Sequence, residues 1–374
     1  MSERTEQSEG HERMRKEATS QMSSAPPVSM RSTSPEGPDP TGTRGRESAI
    51  GALLKTRELG ILLALLVLVV FTAANNPRCL SAQCIRDILL GPALLAVLAT
   101  GQAIVVITRN IDLSVGSVLG LSAFTVATLA SARRSLPMIV LLLVGLAVGA
   151  ACGLLNGVLV RFGRVPALVV TLGTLYIFRG VTYSWAGGQQ VNADELPPHF
   201  LRFANESLLG VPWLVLIALA VVGGGSLVMR NYRIGRELYA MGSSPQAAEL
   251  AGIRVVRNTL AAFVVSGALA GLAGVLFAAR FGTVDAAAGT GYELNVVAAV
   301  VVGGVAVFGG SGTVWGAGLG ALLLTVIGSA LAVLDINQFW QQAIVGALIL
   351  LAIGADRLVA VRIARSLRKK DSRV

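Results

Sequence analysis

The sequence predicts an all-α integral membrane protein of about ten transmembrane helices, with broken or re-entrant segments and with both termini in the cytoplasm. Of its 374 residues, 53% are hydrophobic and only 14% are charged, and the mean hydropathy is +0.68. Soluble domains carry about 25% charged residues, so this composition indicates a membrane protein. The 43 glycines favour helices that pack closely through small side chains.

Three regions differ in composition. Residues 1–48 are rich in Ser, Glu, Arg, Pro, Gly and Thr, which predicts a disordered cytoplasmic tail. Residues 49–358 form the predicted transmembrane domain and contain one long polar loop, 230–258, whereas residues 359–374 form a basic cytoplasmic tail. The first apolar run begins only near Leu59, so we expect no cleavable signal peptide.

The apolar runs of the transmembrane domain define ten candidate spans. A bilayer core of about 30 Å needs roughly 20 helical residues, so several of these runs are short and we expect some broken helices. The predicted spans are 59–75, 89–108, 114–132, 136–160, 166–186, 212–230, 258–280, 292–308, 314–334 and 338–356.

The distribution of basic residues predicts the orientation. Positively charged loops stay in the cytoplasm, and an even number of spans puts both termini on that side. The predicted inner loops carry Arg161, Arg164, Arg230, Arg233, Arg236, Arg254 and Arg257, and a basic tail follows the last span. The predicted outer loops carry Asp87, Asp194, Glu195, Glu206, Asp285 and Asp335. Arg133 and Arg134 lie outside against the rule, and this turn is the weakest point of the topology.

The polar stretch Met229–Asn258 contains one very short helix with start and stop residues. Ser244 can cap the helix, Pro245 suits its first position and Gly252 can end it in the left-handed conformation. Such a helix is marginal alone in water, and its small or apolar side chains favour a docking element. A plain capped loop helix that packs on its own protein is the alternative.

Catalytic and metal-binding patterns are missing from the sequence. It has no GxxxxGK[ST] phosphate loop, so we expect no ATP hydrolysis by this chain, and it has no GxSxG, HExxH or CxxC pattern. The two histidines lie far apart, which argues against a metal centre.

Cys152 is expected to be inert, whereas Cys79 and Cys84 can pair if their loop faces an oxidising compartment. The net charge of +10 follows the cytoplasmic loops and tails rather than a nucleic-acid partner.

Three further stretches stand out, and the first two have both a structural and a functional interpretation. In 101–123, Asp112 and Arg109 suggest a capped break between helices or a gate. In 161–189, the aromatic residues suggest an interfacial belt or a sugar-stacking surface. In 289–328, the glycines favour close helix packing.

Taken together, these stretches resemble the membrane permease subunits of bacterial ABC importers of the ribose, xylose and rhamnose type, a superfamily that includes autoinducer and branched-chain amino-acid permeases. The similar segments are spread over residues 91–356 in the same order as in the family. They are TRNIDLSVGSVLGLSA, GRVPALVVTLGTLYIFRGVTY, GRELYAMGSSPQAAELAGI and AGTGYELNVVAAVVVGGVAVFGGSGTVWGAGLGALLL.

This resemblance implies that residues 49–358 are a permease domain in the bacterial cytoplasmic membrane. It implies two ABC ATPase subunits that bind ATP and Mg, a second permease copy that is identical or a paralogue, and an extracytoplasmic solute-binding protein; this chain would need no cofactor of its own. The family's ATPase-coupling pattern falls on Ala240, Gly242, Ser244, Pro245, Ala247, Ala248, Glu249 and Gly252.

We therefore expect a transport subunit that imports a monosaccharide or a related polar solute, and not an enzyme. An ion-coupled secondary transporter is the main alternative, and a membrane-embedded enzyme is a more distant one. The pathway is expected between two permease copies. Its candidate residues are Asn110, Asp112, Asn156, Thr171 and Phe178.

Overall fold

A computed structural model of the chain describes residues 41–76, 81–337 and 339–354. Two compact units are distinguished, residues 1–50 and 51–374, and in the first only residues 41–50 are described, which are helical. The first described helix spans Thr41–Asn75, and most of the predicted tail, residues 1–40, lies outside the described residues. Cys79 lies outside the described residues.

The described residues are mostly helical. The helices are α1 (Thr41–Asn75), α2 (Ala82–Ile107), α3 (Val115–Ala132), α4 (Met138–Phe162), α5 (Ala167–Ala186), α6 (Pro198–Asn205), α7 (Trp213–Asn231), α8 (Arg233–Ser243), α9 (Pro245–Leu250), α10 (Val255–Phe281), α11 (Tyr292–Val302), α12 (Val314–Val333) and α13 (Phe339–Gly354). Two short strands, β1 (Ser207–Leu208) and β2 (Val211–Pro212), form an antiparallel hairpin between α6 and α7.

Eight of the described helices are long and apolar enough to cross a membrane, and α11 and α13 are shorter apolar helices. These ten helices coincide with the ten predicted spans, which confirms the predicted fold class. At 1.5 Å per residue, α11 covers only about half of a 30 Å bilayer core. The predicted span 292–308 is thus a half-length helix followed by irregular chain, which is one of the expected breaks.

Contacts between distant connections agree with the predicted alternation of sides. In each of the pairs below, the predicted topology puts both connections on the same side of the membrane. On the predicted cytoplasmic side the pairs are Arg161 with Glu249, Gly310 with Ile107, and Thr313 with Glu58. On the predicted outer side they are Val191 with Val284, Asn76 with Val333, and Arg134 with Asp194.

The turn at Arg133 and Arg134, where the topology was weakest, therefore belongs to the outer side. Arg134 donates a hydrogen bond to the carbonyl of Asp194 at 3.1 Å, and the preceding Ser131 donates to Glu195 at 3.4 Å. The acidic segment beside this turn offsets its positive charge.

Glycines set the distance between the helices at the centre of the fold. Residues 88–107 of α2 are almost all buried, whereas residues 58–75 of α1 are mostly exposed. The helices α4 and α10 cross so closely that a Cβ atom on Gly149 would strike the carbonyl oxygen of Gly267 and the backbone of Gly271. This confirms that glycine serves close packing in this protein.

We predict that Gly149→Ala lowers the thermal unfolding midpoint of the purified protein by several degrees, because overpacking of this kind costs about 1–3 kcal/mol. The matched control is Gly223→Ala on α7, where no atom lies within 4 Å of the added Cβ. Alanine stabilises a helix relative to glycine by up to about 1 kcal/mol, so the control should unfold at the same or a higher temperature. Equal midpoints for the two variants would contradict the packing account.

Candidate functional site

The predicted docking helix is present on the cytoplasmic side as α9. Ser244 is its N-cap, and the Ser244 hydroxyl accepts a hydrogen bond from the Ala247 amide at 3.3 Å. Pro245 is the first helical residue, and Gly252 has a φ of 77° just after the helix. The three residues that the sequence assigned to the start and end of this helix therefore have the predicted conformations.

Exposure divides the eight predicted coupling residues into three groups. Ala240, Ala247, Glu249 and Gly252 are exposed, and Ser244 and Pro245 are partly exposed. Gly242 and Ala248 are buried, so these two residues hold the helix against its own protein. The most exposed large apolar side chain of α9 is Leu250, at 91%. The exposed surface of this helix thus consists of small residues, one carboxylate and one solvent-exposed leucine.

The preceding helix α8, which the sequence analysis missed, anchors α9 to the membrane domain. A Cβ atom on Gly242 would strike the carbonyl of Ile107, so the end of α8 lies directly on the end of α2. Arg109 donates to the carbonyl of Ser243 at 2.6 Å, and Tyr239 donates to the carbonyl of Gly312 at 2.8 Å. The end of α8 is therefore tied to the two connections that precede α3 and α12.

Charged contacts fix the rest of the cytoplasmic loop. Glu237 on α8 accepts hydrogen bonds from Asn258 at 3.0 Å and from Arg233 at 2.8 Å, and Arg257 lies 3.8 Å away. The bond from Asn258 and then the bond from Arg233 lower the pKa of Glu237 below its usual value. Burial raises the pKa of Tyr239 above its usual value.

The predicted pathway residues lie at the break between α2 and α3. The α3 helix begins at Val115 with Ser114 as its N-cap, and Asp112 does not cap it directly. Instead, the Asp112 carboxylate accepts both the Ser114 N–H at 2.9 Å and the Ser114 O–H at 2.6 Å. Asn156 on α4 donates to the Ser114 hydroxyl at 2.7 Å, and Thr171 on α5 donates to the Ile111 carbonyl at 3.1 Å.

The structure brings three of the five predicted pathway residues together in one buried network. Asp112, Asn156 and Thr171 are each at most 1% exposed, and Phe178 is packed in the core at 7%. Asn110 is partly buried, and its side-chain amide donates to the carbonyl and the hydroxyl of Thr108. In this conformation, the network joins α3, α4 and α5 rather than lining an open channel.

Sequence analysis also missed Arg179 on α5 and the irregular segment that it contacts. Arg179 donates to the carbonyls of Ala286 at 3.3 Å and Ala288 at 2.5 Å, between α10 and α11. A charged residue well inside the predicted span 166–186 was the available sign of this contact, because such residues need a partner within the membrane.

The described residues thus form a helical membrane protein with an exposed, capped helix at one face, anchored to the connections between its spans. The chain belongs to the family described as "Branched-chain amino acid transport system / permease component", whose model matches residues 85–353. This places it in the bacterial cytoplasmic membrane as a multi-pass protein.

Several relatives are similar along most of their length. The autoinducer 2 import system permease protein LsrC of Enterobacter sp. (strain 638) is 40% identical over 298 residues, which cover 80% of this chain and 86% of the relative. The proteins of the same name from Escherichia coli (strain K12 / DH10B) and Salmonella typhi are each 36% identical over 317 residues. That match covers 84% of this chain and 91% and 89% of the two relatives. No solved structure gives a significant match.

We predict that Asn156→Leu lowers the thermal midpoint, because Ser114 loses a buried partner at a cost of about 1–3 kcal/mol. The matched control is Asn231→Leu at the exposed end of α7, which should leave the midpoint unchanged. The measurement is thermal unfolding in one detergent. An unaltered midpoint for Asn156→Leu would show that this network does not hold α3 and α4 together.

Proposed function

We propose that the chain is the membrane subunit of an ATP-driven importer that moves a monosaccharide or a related polar solute into the cell. The observation that carries this proposal is the similarity of at least 36% over four fifths of the chain to autoinducer 2 import permeases. The relatives are named as autoinducer 2 import permeases, so autoinducer 2 is the first solute to test. The spans contain few polar groups, which fits an importer whose specificity lies mostly in a separate binding protein.

The proposed partners are two ABC ATPase subunits, a second permease copy and an extracytoplasmic solute-binding protein. The chain has no phosphate loop, so ATP and Mg would be bound by the ATPase subunits. The exposed surface of α9 supports the ATPase contact, because Leu250 is a large apolar side chain bare on a cytoplasmic helix. A groove of about 590 Å³ lies beside it, lined by Glu249, residues 252–257 and Leu260, and offers room for a partner's side chain.

The contacts of α8 suggest how movement at α9 reaches the membrane domain. ATP binding draws the ATPase subunits together and displaces α9, and Glu249 carries part of this force to Arg161 on α4, 3.7 Å away. Gly242 and Ser243 move with α9 and press on Ile107 and Arg109. That connection leads into the buried Asp112 network, so displacement of α9 tilts α3 relative to α4 and switches the pathway between outward and inward openings.

We predict that Leu250→Asp abolishes co-purification of the ATPase subunits and reduces ATP-dependent uptake at least about tenfold, since a buried interface leucine contributes more than 1.4 kcal/mol. Radiolabelled autoinducer 2 and ribose serve as solutes, and folding is followed by the amount of monodisperse protein in detergent.

The matched control is Leu209→Asp, because Leu209 is 97% exposed on the outer hairpin and receives the same substitution. This variant should keep its ATPase subunits. If Leu250→Asp also keeps them and transports at the wild-type rate, the assignment of α9 as the docking helix is wrong.

A further inference from the structure

The connection between α10 and α11 enters the membrane domain from the outer side. Val284 pairs with Val191 in an outer loop, whereas Cβ atoms on Gly120 and Gly116 would meet the carbonyls of Ala288 and Gly289. These two glycines lie in the first two turns of α3, whose opposite end faces outside. Residues 283–290, the re-entrant segment, therefore descend along α3.

The re-entrant segment exposes every second residue. Thr283, Asp285 and Ala287 are exposed, and the intervening Val284 and Ala286 are buried. Irregular backbone at membrane depth is tolerated only where it is buried in protein or lines a water-filled cavity. Because one face of the segment is packed on α3 and α5, the exposed face with its carboxylate must meet water or another protein rather than lipid.

The position of Arg179 indicates the same surface. In the described candidate spans, every other charged residue lies within three residues of a span end, whereas Arg179 lies deep inside α5. Charges at such depth are costly and are associated with substrate and ion pathways. Its Nη1 atom holds the carbonyls of Ala286 and Ala288, which leaves its other N–H groups as donors.

Two carboxylates and one tyrosine interact electrostatically with this guanidinium. Glu293, Tyr183 and Asp285 lie within electrostatic reach of Arg179. Tyr183 is half exposed, and Glu293 Oε2 is buried without a hydrogen-bond partner among the described residues. Donors, carboxylate acceptors and an aromatic face are the groups that recognise a molecule with several hydroxyls.

We propose that Arg179, Tyr183 and Asp285 line the outer part of the solute pathway and hydrogen-bond a neutral polyhydroxylated solute during its passage. This inference rests on the proposed import function and adds the contact residues to it. Arg179 has two tasks in this scheme, since one face of its guanidinium fixes the re-entrant segment and the other faces the solute.

Thiol accessibility tests whether this surface is exposed to water and whether it lines the solute pathway. Ala287→Cys is made in a chain whose Cys79, Cys84 and Cys152 are alanine, in proteoliposomes with the ATPase and binding protein of the same organism. The negatively charged reagent sulfonatoethyl methanethiosulfonate, added outside, should modify this cysteine and block uptake of radiolabelled autoinducer 2 or ribose. Leu143→Cys on the exposed apolar surface of α4 is the control and should not react.

A second pair of variants tests solute contact. Asp285→Asn keeps the oxygen that accepts the Ala287 amide at 3.1 Å, so the yield of monodisperse protein should stay unchanged while uptake falls about tenfold. Arg179→Lys should behave in the same way. Asp194→Asn, the same change in an exposed outer loop, should transport normally.

The inference is overturned if Ala287→Cys reacts no faster than Leu143→Cys, if its modification leaves uptake intact, or if Asp285→Asn and Arg179→Lys transport at the wild-type rate. A failure of the proposed function is recognised separately, because wild-type proteoliposomes would then show no ATP-dependent uptake.

Discussion

Polar backbone groups inside a bilayer need partners within the protein, and the irregular parts of this structure are built around that requirement. The break between α2 and α3 is enclosed by Asp112, Asn156 and Thr171, which satisfy the chain where the helix stops. The re-entrant segment has its carbonyls held by Arg179. Asp112, Asn156, Thr171 and Arg179 thus all contact chain where regular helical hydrogen bonding stops.

Close contact through glycine joins these places to the cytoplasmic face. Gly242 allows α8 to rest on the last carbonyl of α2, and Gly310 approaches Ser243 at the same point. Contacts this close transmit displacement because neither backbone has a flexible side chain between them. The end of α8, the end of α2 and the connection before α12 are therefore in direct contact at the cytoplasmic face, while the re-entrant segment enters the domain from the outer side.

The sequence allowed prediction of features whose causes are local. Hydropathy located all ten apolar helices, and Ser244, Pro245 and Gly252 located α9 because capping depends on neighbouring residues. Burial was not predictable in the same way: Ala248 is covered and Leu250 is bare only because of how α8 docks on distant connections. The partners of Arg179 lie more than a hundred residues away, so no local pattern reveals them. The roles of the coupling and pathway residues stay predictions.

The central claim is that a separate ATPase drives this permease through α9. The most direct test is solute uptake by proteoliposomes that contain the chain alone or together with its ATPase and binding-protein partners, with ATP or with a sodium or proton gradient as the energy source. The account predicts uptake only with the partners and ATP, regardless of the gradient. Uptake driven by an ion gradient in the chain alone would contradict it and would show a secondary transporter.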